Sequence, residues 1–441
     1  MSVTAGIYTL GCKVNQYESE AIAEGLAAEG ITLCSPDEAC TLYVINTCTV
    51  TAESDRKARQ FIRRALGHNP EAFVLVTGCL AQVDAEQIAA IPGVDYICGN
   101  RNKMSVVTAV RELLSRGQKN ISPVLNVPSL EGAPFEPMHI TRFDRTRAYV
   151  KIEDGCESRC AYCIIPRARG KIRSKSPAEV MAEVRALAEG GCREVVLTGI
   201  ETSAYGRDLG NYGLADLLQD LDRESGIGRI RLGSLDPSLI RPDFVEKIAV
   251  LPTLAPHFHL SLQSGADHVL RLMRRRYSSE MAYAAVDRLR AAFPQLGLTT
   301  DVIVGFPGET EEDFRESAEF LRRARFLDAH IFAYSRRPGT EAAEMKEQID
   351  EVVKRRRSAE LISIQAELHT ALLEEAAAAA EPVPVLFETR HGDRFRGHTP
   401  AFYEVEVIAP DLDLRGTEQI VLPTGHDSER LFGRLFPCSI R

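Results

Sequence analysis

Short apolar runs alternate with longer amphipathic stretches along the first third of the chain. Ile7 to Leu10 predicts a strand, and GCKVNQYES leads into a helix over about residues 16–29. Leu42 to Ile45 predicts a second strand, Glu53 to Leu66 a helix and Ala72 to Thr77 a third strand. Alternation of this kind implies a parallel α/β region over residues 1–120. Residues 121–140, with PSLEGAPFEP, lack periodicity and read as a linker. The alternation returns over 141–375. Strands are predicted at Arg147 to Ile152, Glu194 to Leu197, Arg229 to Leu232, His257 to Leu262, Leu298 to Val304 and Ala329 to Phe332. Helices are predicted between them at Pro177 to Glu189, Leu214 to Arg223, Pro242 to Leu251, 279–292 and 311–325. About six βα units in a row predict a partial TIM-like barrel with its chemistry at the C-terminal strand ends. A long helical stretch, 344–375, connects to 376–441, where five alanines end the helix and short alternating strands predict a small antiparallel β-barrel.

Composition narrows the class. The chain has 441 residues, 44% apolar and 26% charged, as in a globular protein of two or three domains. Its net charge of −9 gives no global basic field for nucleic acid, and DNA is not an expected partner. The first residues lack a secretory leader and no window is apolar enough to span a membrane, so a cytoplasmic location is expected. Eleven cysteines, an odd number, fit a reducing compartment and metal binding better than disulfides.

Three of those cysteines, Cys156, Cys160 and Cys163, lie within eight residues. A structural zinc site closes with four ligands, yet the chain has no second CxxC and no HxxxH at finger spacing. Thiolates also hold iron–sulfur clusters, and three ligands for four irons leave one coordination position open to a substrate or cofactor. Cys12, Cys48 and Cys79 form a second set. Each falls just past a predicted strand, where parallel sheets gather functional groups, so the three loops should meet at one sheet edge. Cys34, Cys40, Cys98, Cys192 and Cys438 have no such set and read as ordinary structural thiols.

CxxxCxxC with Tyr162 before the last cysteine resembles the radical S-adenosylmethionine (SAM) enzymes. TLGCKVNQYES (9–19), NTCTVTAESDRKARQFIRRA (46–65) and TGCLAQ (77–82) resemble the N-terminal domain of the radical SAM methylthiotransferases. The resemblance implies a transferase with two [4Fe-4S] clusters. One, on Cys156, Cys160 and Cys163, binds and reduces SAM to give a 5′-deoxyadenosyl radical; the other, auxiliary, on Cys12, Cys48 and Cys79, supplies or carries sulfur. It further implies hydrogen abstraction from C2 of an adenosine in tRNA, sulfur insertion, methylation by a second SAM and an external one-electron reductant. An aromatic C–H offers no acidic proton, so a radical cofactor carries the hard step.

The same resemblance suggests SAM contacts. TGIE (198–201) matches the strand end that meets the SAM amino group, implicating Thr198, Gly199 and Glu201, although relatives usually carry His at the last position. Ser234 and Gln263 are either polar contacts to SAM or loop caps. Gly305 would let the adenine approach, and Tyr162 would contact it mainly through its backbone. KVNQYES resembles the subtype acting on N6-threonylcarbamoyladenosine; the alternatives are isopentenyladenosine in tRNA and a ribosomal protein. From a different class, a non-catalytic zinc- and RNA-binding protein predicts two sites closed by a fourth ligand.

Basic runs give candidate RNA contacts. Arg167, Arg169, Lys171 and Arg173 follow the cysteine loop, and Arg274, Arg275 and Arg276 form a second run at the same rim. Arg56, Lys57, Arg59, Arg63 and Arg64 fit equally a solvated helix face and phosphate contact. By position, 376–441 resembles an RNA-binding TRAM domain, yet it holds ten acidic residues against seven arginines, and its Phe395, Phe402 and Tyr403 would serve as core alone.

Overall fold

The computed structural model describes residues 2–143 and 145–436. The N-terminal region is a six-stranded, all-parallel sheet, in the spatial order Thr32–Cys34, Thr4–Thr9, Leu42–Thr47, Phe73–Gly78, Tyr96–Cys98, Val124–Asn126. Its central strands LYVINT and FVLVTG are buried at every position, because helices cover both faces. The predicted linker is therefore strand in part: Val124–Asn126 pairs with Tyr96–Cys98 as the sheet edge. Three residues flanked by ISP and VPS carry too little periodicity to register as a strand.

The central region contains the predicted strands in the predicted order. Arg147–Lys151, Glu194–Thr198 and Arg229–Leu232 pair in one sheet; Ser234–Leu235, His257–Gln263, Gly297–Val304 and Asp328–Ala333 pair in another, all parallel. The two sheets join where the chain passes through Gly233, so the wall is a six-unit open barrel. Alternate side chains divide the wall. Val195, Leu197, Phe258, Leu260, Leu262, Val302 and Val304 face outward into the core beneath the helices. Their neighbours Glu194, Thr198, His257, His259, Thr299 and Asp301 face the interior. Helix Pro177–Glu189 starts where expected, because Ser176 and Glu179 form a capping box and proline sits in the first turn.

The long helix runs Glu351–Ala379 and ends with Ala380 at φ +47°. Five strands after it close into a barrel, Val383–His391, Arg394–His398, Glu404–Ile408, Leu431–Leu435, Glu418–His426 in spatial order. One pair, Glu404–Ile408 with Leu431–Leu435, is parallel, which the antiparallel expectation did not include. Phe395 is core. Phe402 lies outside that core: it stacks between His257 and His398, at 4.6 and 4.5 Å, beneath Arg147 and Arg231. Arg394 and Arg396 both pair with Glu406.

Glu194, 1% exposed, anchors this junction through Arg147, Arg229 and Arg231, while Arg147 and Arg229 reach on to Glu388 and Glu418 of the barrel. Burial alone would raise its carboxyl, but Arg231 and Arg147 hold it down to about 2. A depressed carboxyl contributes stability above its unfolded value of about 4.5 that is lost as pH falls through the folded value. The urea midpoint should thus drop between about pH 4.5 and 2. Glu194→Gln should flatten that slope; an unaltered slope would contradict this assignment.

Candidate functional site

Cys12 caps the helix Lys13–Ala28, Cys48 follows strand Leu42–Thr47, and Cys79 opens helix Cys79–Val83 after strand Phe73–Gly78. The three strands are sheet neighbours, so the three loops lie side by side as the sequence predicts. Gly11, at φ +98°, lets the first loop pass Cys48: an added Cβ would sit 2.9 Å from its sulfur. Gly11→Ala should therefore lose iron at this set while the other retains it, as measured by iron per chain; equal iron in both proteins would contradict this. Burial and the neighbouring Cys79 push the Cys48 thiol up to about 11, so it ionises only when a metal compensates.

Cys156, Cys160 and Cys163 lie in the loop after strand Arg147–Lys151. The Cys163 amide donates to the Cys160 carbonyl (3.0 Å), and the Ser158 amide donates to Cys156 Sγ (3.3 Å). Arg275 Nη1 donates to Cys160 Sγ at 3.4 Å and Nη2 to Asp236 at 2.7 Å. The Cys156 thiol donates to Glu201 Oε2 at 2.8 Å. Burial and that carboxylate together raise the thiol, and burial lifts Cys163 to about 12. A metal-bound Cys156 cannot donate, so Glu201 would then turn to Ser158 and to Arg207, 3.3 and 3.8 Å away.

Thr198, Ser234, Gln263 and Gly305 fall at or just past the C-terminal ends of neighbouring strands, around the same mouth. Gly199 has a different neighbour from the one expected: its Cα faces Glu153, whose Oε2 accepts the Glu201 amide at 2.8 Å. Gly305 lies against the Lys354 stem of the long helix rather than open space. Gln263 takes φ +73° at its strand end. The Tyr162 ring packs edge-on against Phe306 at 6.3 Å.

The basic run after the loop splits in two. Arg167 and Lys171 are exposed, as are Arg274 and Arg276. Arg169 is fully buried, Arg173 and Arg275 nearly so, and none of the three is free for phosphate. Arg169 bonds Glu18 and Asn15 of the N-terminal region and Asp154 of the barrel. Glu18 also holds Lys103 and Lys151, and Lys151 and Arg173 meet Asp154. Burial opposes the charge on Glu18, yet Arg169, Lys103 and Lys151 hold its carboxyl well below the ordinary range. Asn100 ties the first cysteine set to the short helix after Cys163, donating to Cys79 Sγ at 3.5 Å and to the Ala168 carbonyl at 2.7 Å. Reading Arg56 to Arg64 as a solvated face accords with Arg56, Lys57, Arg63 and Arg64 being exposed.

Sequence reasoning missed Asn15, Glu18, Asn100 and Lys103. The first two carried a signal, since Cys12, Asn15 and Glu18 at spacing three lie along one helix face. Cys34 and Cys40 depart from the expectation of unpartnered thiols: their two sulfurs face each other in contact. Gly6 pairs with Cys34, and a Cβ added at Gly6 would lie 3.1 Å from Cys40 Sγ, so both sulfurs stand beside this glycine. Cys98 and Cys192 are buried free thiols, and Cys438 lies outside the described residues.

The donor sets can be tested against a metal. Four thiolates around one zinc at about 2.3 Å would lie under 4 Å apart. Among the described residues, neither cysteine triad brings its sulfurs all within 4.8 Å; His259, Asp301 and His330 do meet that spacing. These three satisfy one another, with Asp301 taking His259 at 3.2 Å and His330 at 3.1 Å. Wider thiolate spacing and protein triads rather than tetrads fit polynuclear clusters.

Residues 150–321 match the Radical SAM superfamily and residues 4–99 the uncharacterized protein family UPF0004. Membership of that superfamily brings SAM and a [4Fe-4S] cluster to the central region. The threonylcarbamoyladenosine tRNA methylthiotransferase MtaB of Bacillus subtilis is 39% identical over 95% of this chain and 92% of that protein. A tRNA-2-methylthio-N6-dimethylallyladenosine synthase of Desulfitobacterium hafniense is 35% identical over 96% and 95%. The fold resembles the radical SAM methyltransferase TsrM of Kitasatospora setae, with a TM-score of 0.56 and 15% identity over 89% of this chain and 82% of that one. The chain belongs to the radical SAM methylthiotransferase family.

Proposed function

We propose that the protein methylthiolates C2 of N6-threonylcarbamoyladenosine beside the tRNA anticodon, in the cytoplasm. The observation that carries this reading is the tie, through Asn100 and Arg169, between the Cys12, Cys48 and Cys79 region and the short helix that follows Cys163. Cys156, Cys160 and Cys163 would hold the SAM cluster, and Cys12, Cys48 and Cys79 the auxiliary one. Bound there, the clusters and SAM would supply the one-electron and sulfur chemistry that an unactivated aromatic C–H requires, with electrons from an external reductant.

The residues supply placement and environment. Arg275 and Ser158 donate to cluster-loop sulfurs, which lowers charge on the thiolates and fixes the loop. Thr198, Ser234 and Gln263 would form the rim on which SAM rests, with the Tyr162 backbone beneath, and Gly199 and Gly305 would meet it through backbone alone. Arg167, Lys171 and Arg276 are exposed and would meet RNA phosphates at that rim, and Arg274 would do so on leaving Glu341. Residues 1–120 extended by Val124–Asn126 would be the auxiliary-cluster domain, 141–375 the SAM domain, and 376–441 a TRAM-like domain. The relatives named for threonylcarbamoyladenosine reach 39% identity in three bacteria, those named for dimethylallyladenosine 35–38%, and KVNQYES favours the former. Mass spectrometry of tRNA nucleosides from a strain lacking the gene tests the substrate. The methylthio form of threonylcarbamoyladenosine should disappear; its persistence without a redundant enzyme contradicts the reading.

A further inference from the structure

We propose that Arg169 is the electrostatic partner of the auxiliary cluster, an arginine carried on the SAM-cluster loop that sets the reduction potential of the group held by Cys12, Cys48 and Cys79. This rests on the reading that those cysteines hold a cluster.

Arg169 lies one residue removed from two of these thiols. Its Nη2 donates to Asn15 Oδ1, and that amide oxygen is 4.0 Å from Cys12 Sγ. The residue before it, Ala168, is tied through Asn100 to Cys79 Sγ. Its short helix, Ile165–Arg169, packs on the helix Cys79–Val83. Arg169 is 0% exposed, yet its Nε has no acceptor among the described residues. A buried donor without a partner is expensive unless something at the site receives it.

The charge balance points the same way. The ion-paired network gathers four cations, Lys103, Lys151, Arg169 and Arg173, on two carboxylates, Glu18 and Asp154. Glu136 and Glu153, the further carboxyls that feel Lys151, are both pushed up by burial. With Glu136 and Glu153 both kept protonated by burial, positive charge is in excess in a dry interior. Such an excess requires an anion alongside. Three thiolates on an iron–sulfur core are that anion, and net charge with hydrogen bonds to sulfur sets a cluster's potential. Arg169 favours the more negative, reduced state. Since the same loop carries Cys156, Cys160 and Cys163, movement at the SAM site would reach the auxiliary site through this side chain.

The test uses the full chain with Cys156, Cys160 and Cys163 replaced by alanine, so that only the auxiliary cluster loads. An EPR-monitored redox titration should show a shift to lower potential in Arg169→Gln and most of the original value in Arg169→Lys. With 15N-labelled arginine, the reduced cluster should show a 15N hyperfine coupling that Arg169→Lys loses. An unshifted potential in Arg169→Gln overturns the inference. Should Arg169→Gln fail to fold or load, absence of the 15N coupling in the protein that keeps Arg169 overturns it. No iron in the triple-alanine protein defeats the two-cluster reading itself, which separates the two failures.

Discussion

Alanine at Cys156, Cys160 and Cys163 together is expected to abolish both SAM cleavage and methylthiolated product, and to halve bound iron from about eight to about four per chain. The two sets sit on different sheets, one after Arg147–Lys151 and one along Leu42–Thr47 and its neighbours, so each can load alone. Alanine at Cys12, Cys48 and Cys79 should also leave about four irons. Its phenotype should differ: SAM cleavage persists and only sulfur incorporation is lost. Iron and sulfide analysis after anaerobic purification, with chromatography of 5′-deoxyadenosine, reads both. Zinc in place of iron, or full iron in either variant, would contradict the assignment.

Glu18→Ala should destabilise the junction of the first two regions by about 3–5 kcal/mol. Glu18 is 0% exposed and receives Lys103, Lys151 and Arg169 at once. Removing it leaves Lys151 and Arg169 to share Asp154, and Lys103 with only the Asn46 amide oxygen. The loss is much larger than for an exposed pair such as Arg56–Glu53, where about 0–1 kcal/mol is typical. Urea unfolding followed by circular dichroism measures it. A change under about 1 kcal/mol, the scale of an exposed pair, would show the network to be dispensable.

The parallel alternation, the barrel wall and the placement of all six cysteines were legible, because strands buried on both faces and loops at strand ends leave strong local patterns. Helix Pro177–Glu189 and strand Arg229–Leu232 fall where the sequence places them. What escaped depends on long-range partners. Arg169 and Arg173 read as RNA contacts in RARGKIRSK; Glu18, from the far end of the chain, draws Arg169 inside, and Asp154 holds Arg173. Phe402 could be read as core; nothing local says that it docks the barrel onto His257 and Arg231. The Cys34–Cys40 pair likewise needs the sheet order, not the spacing, to be seen.

The most direct test supplies the anaerobically reconstituted enzyme with reductant, SAM and two anticodon stem-loops, one bearing threonylcarbamoyladenosine and one isopentenyladenosine. Nucleosides are then resolved by mass spectrometry. The account predicts methylthio product on the threonylcarbamoyl substrate, dependent on all six cysteines. Product on the isopentenyl substrate alone, or product that survives loss of Cys12, Cys48 and Cys79, would contradict it.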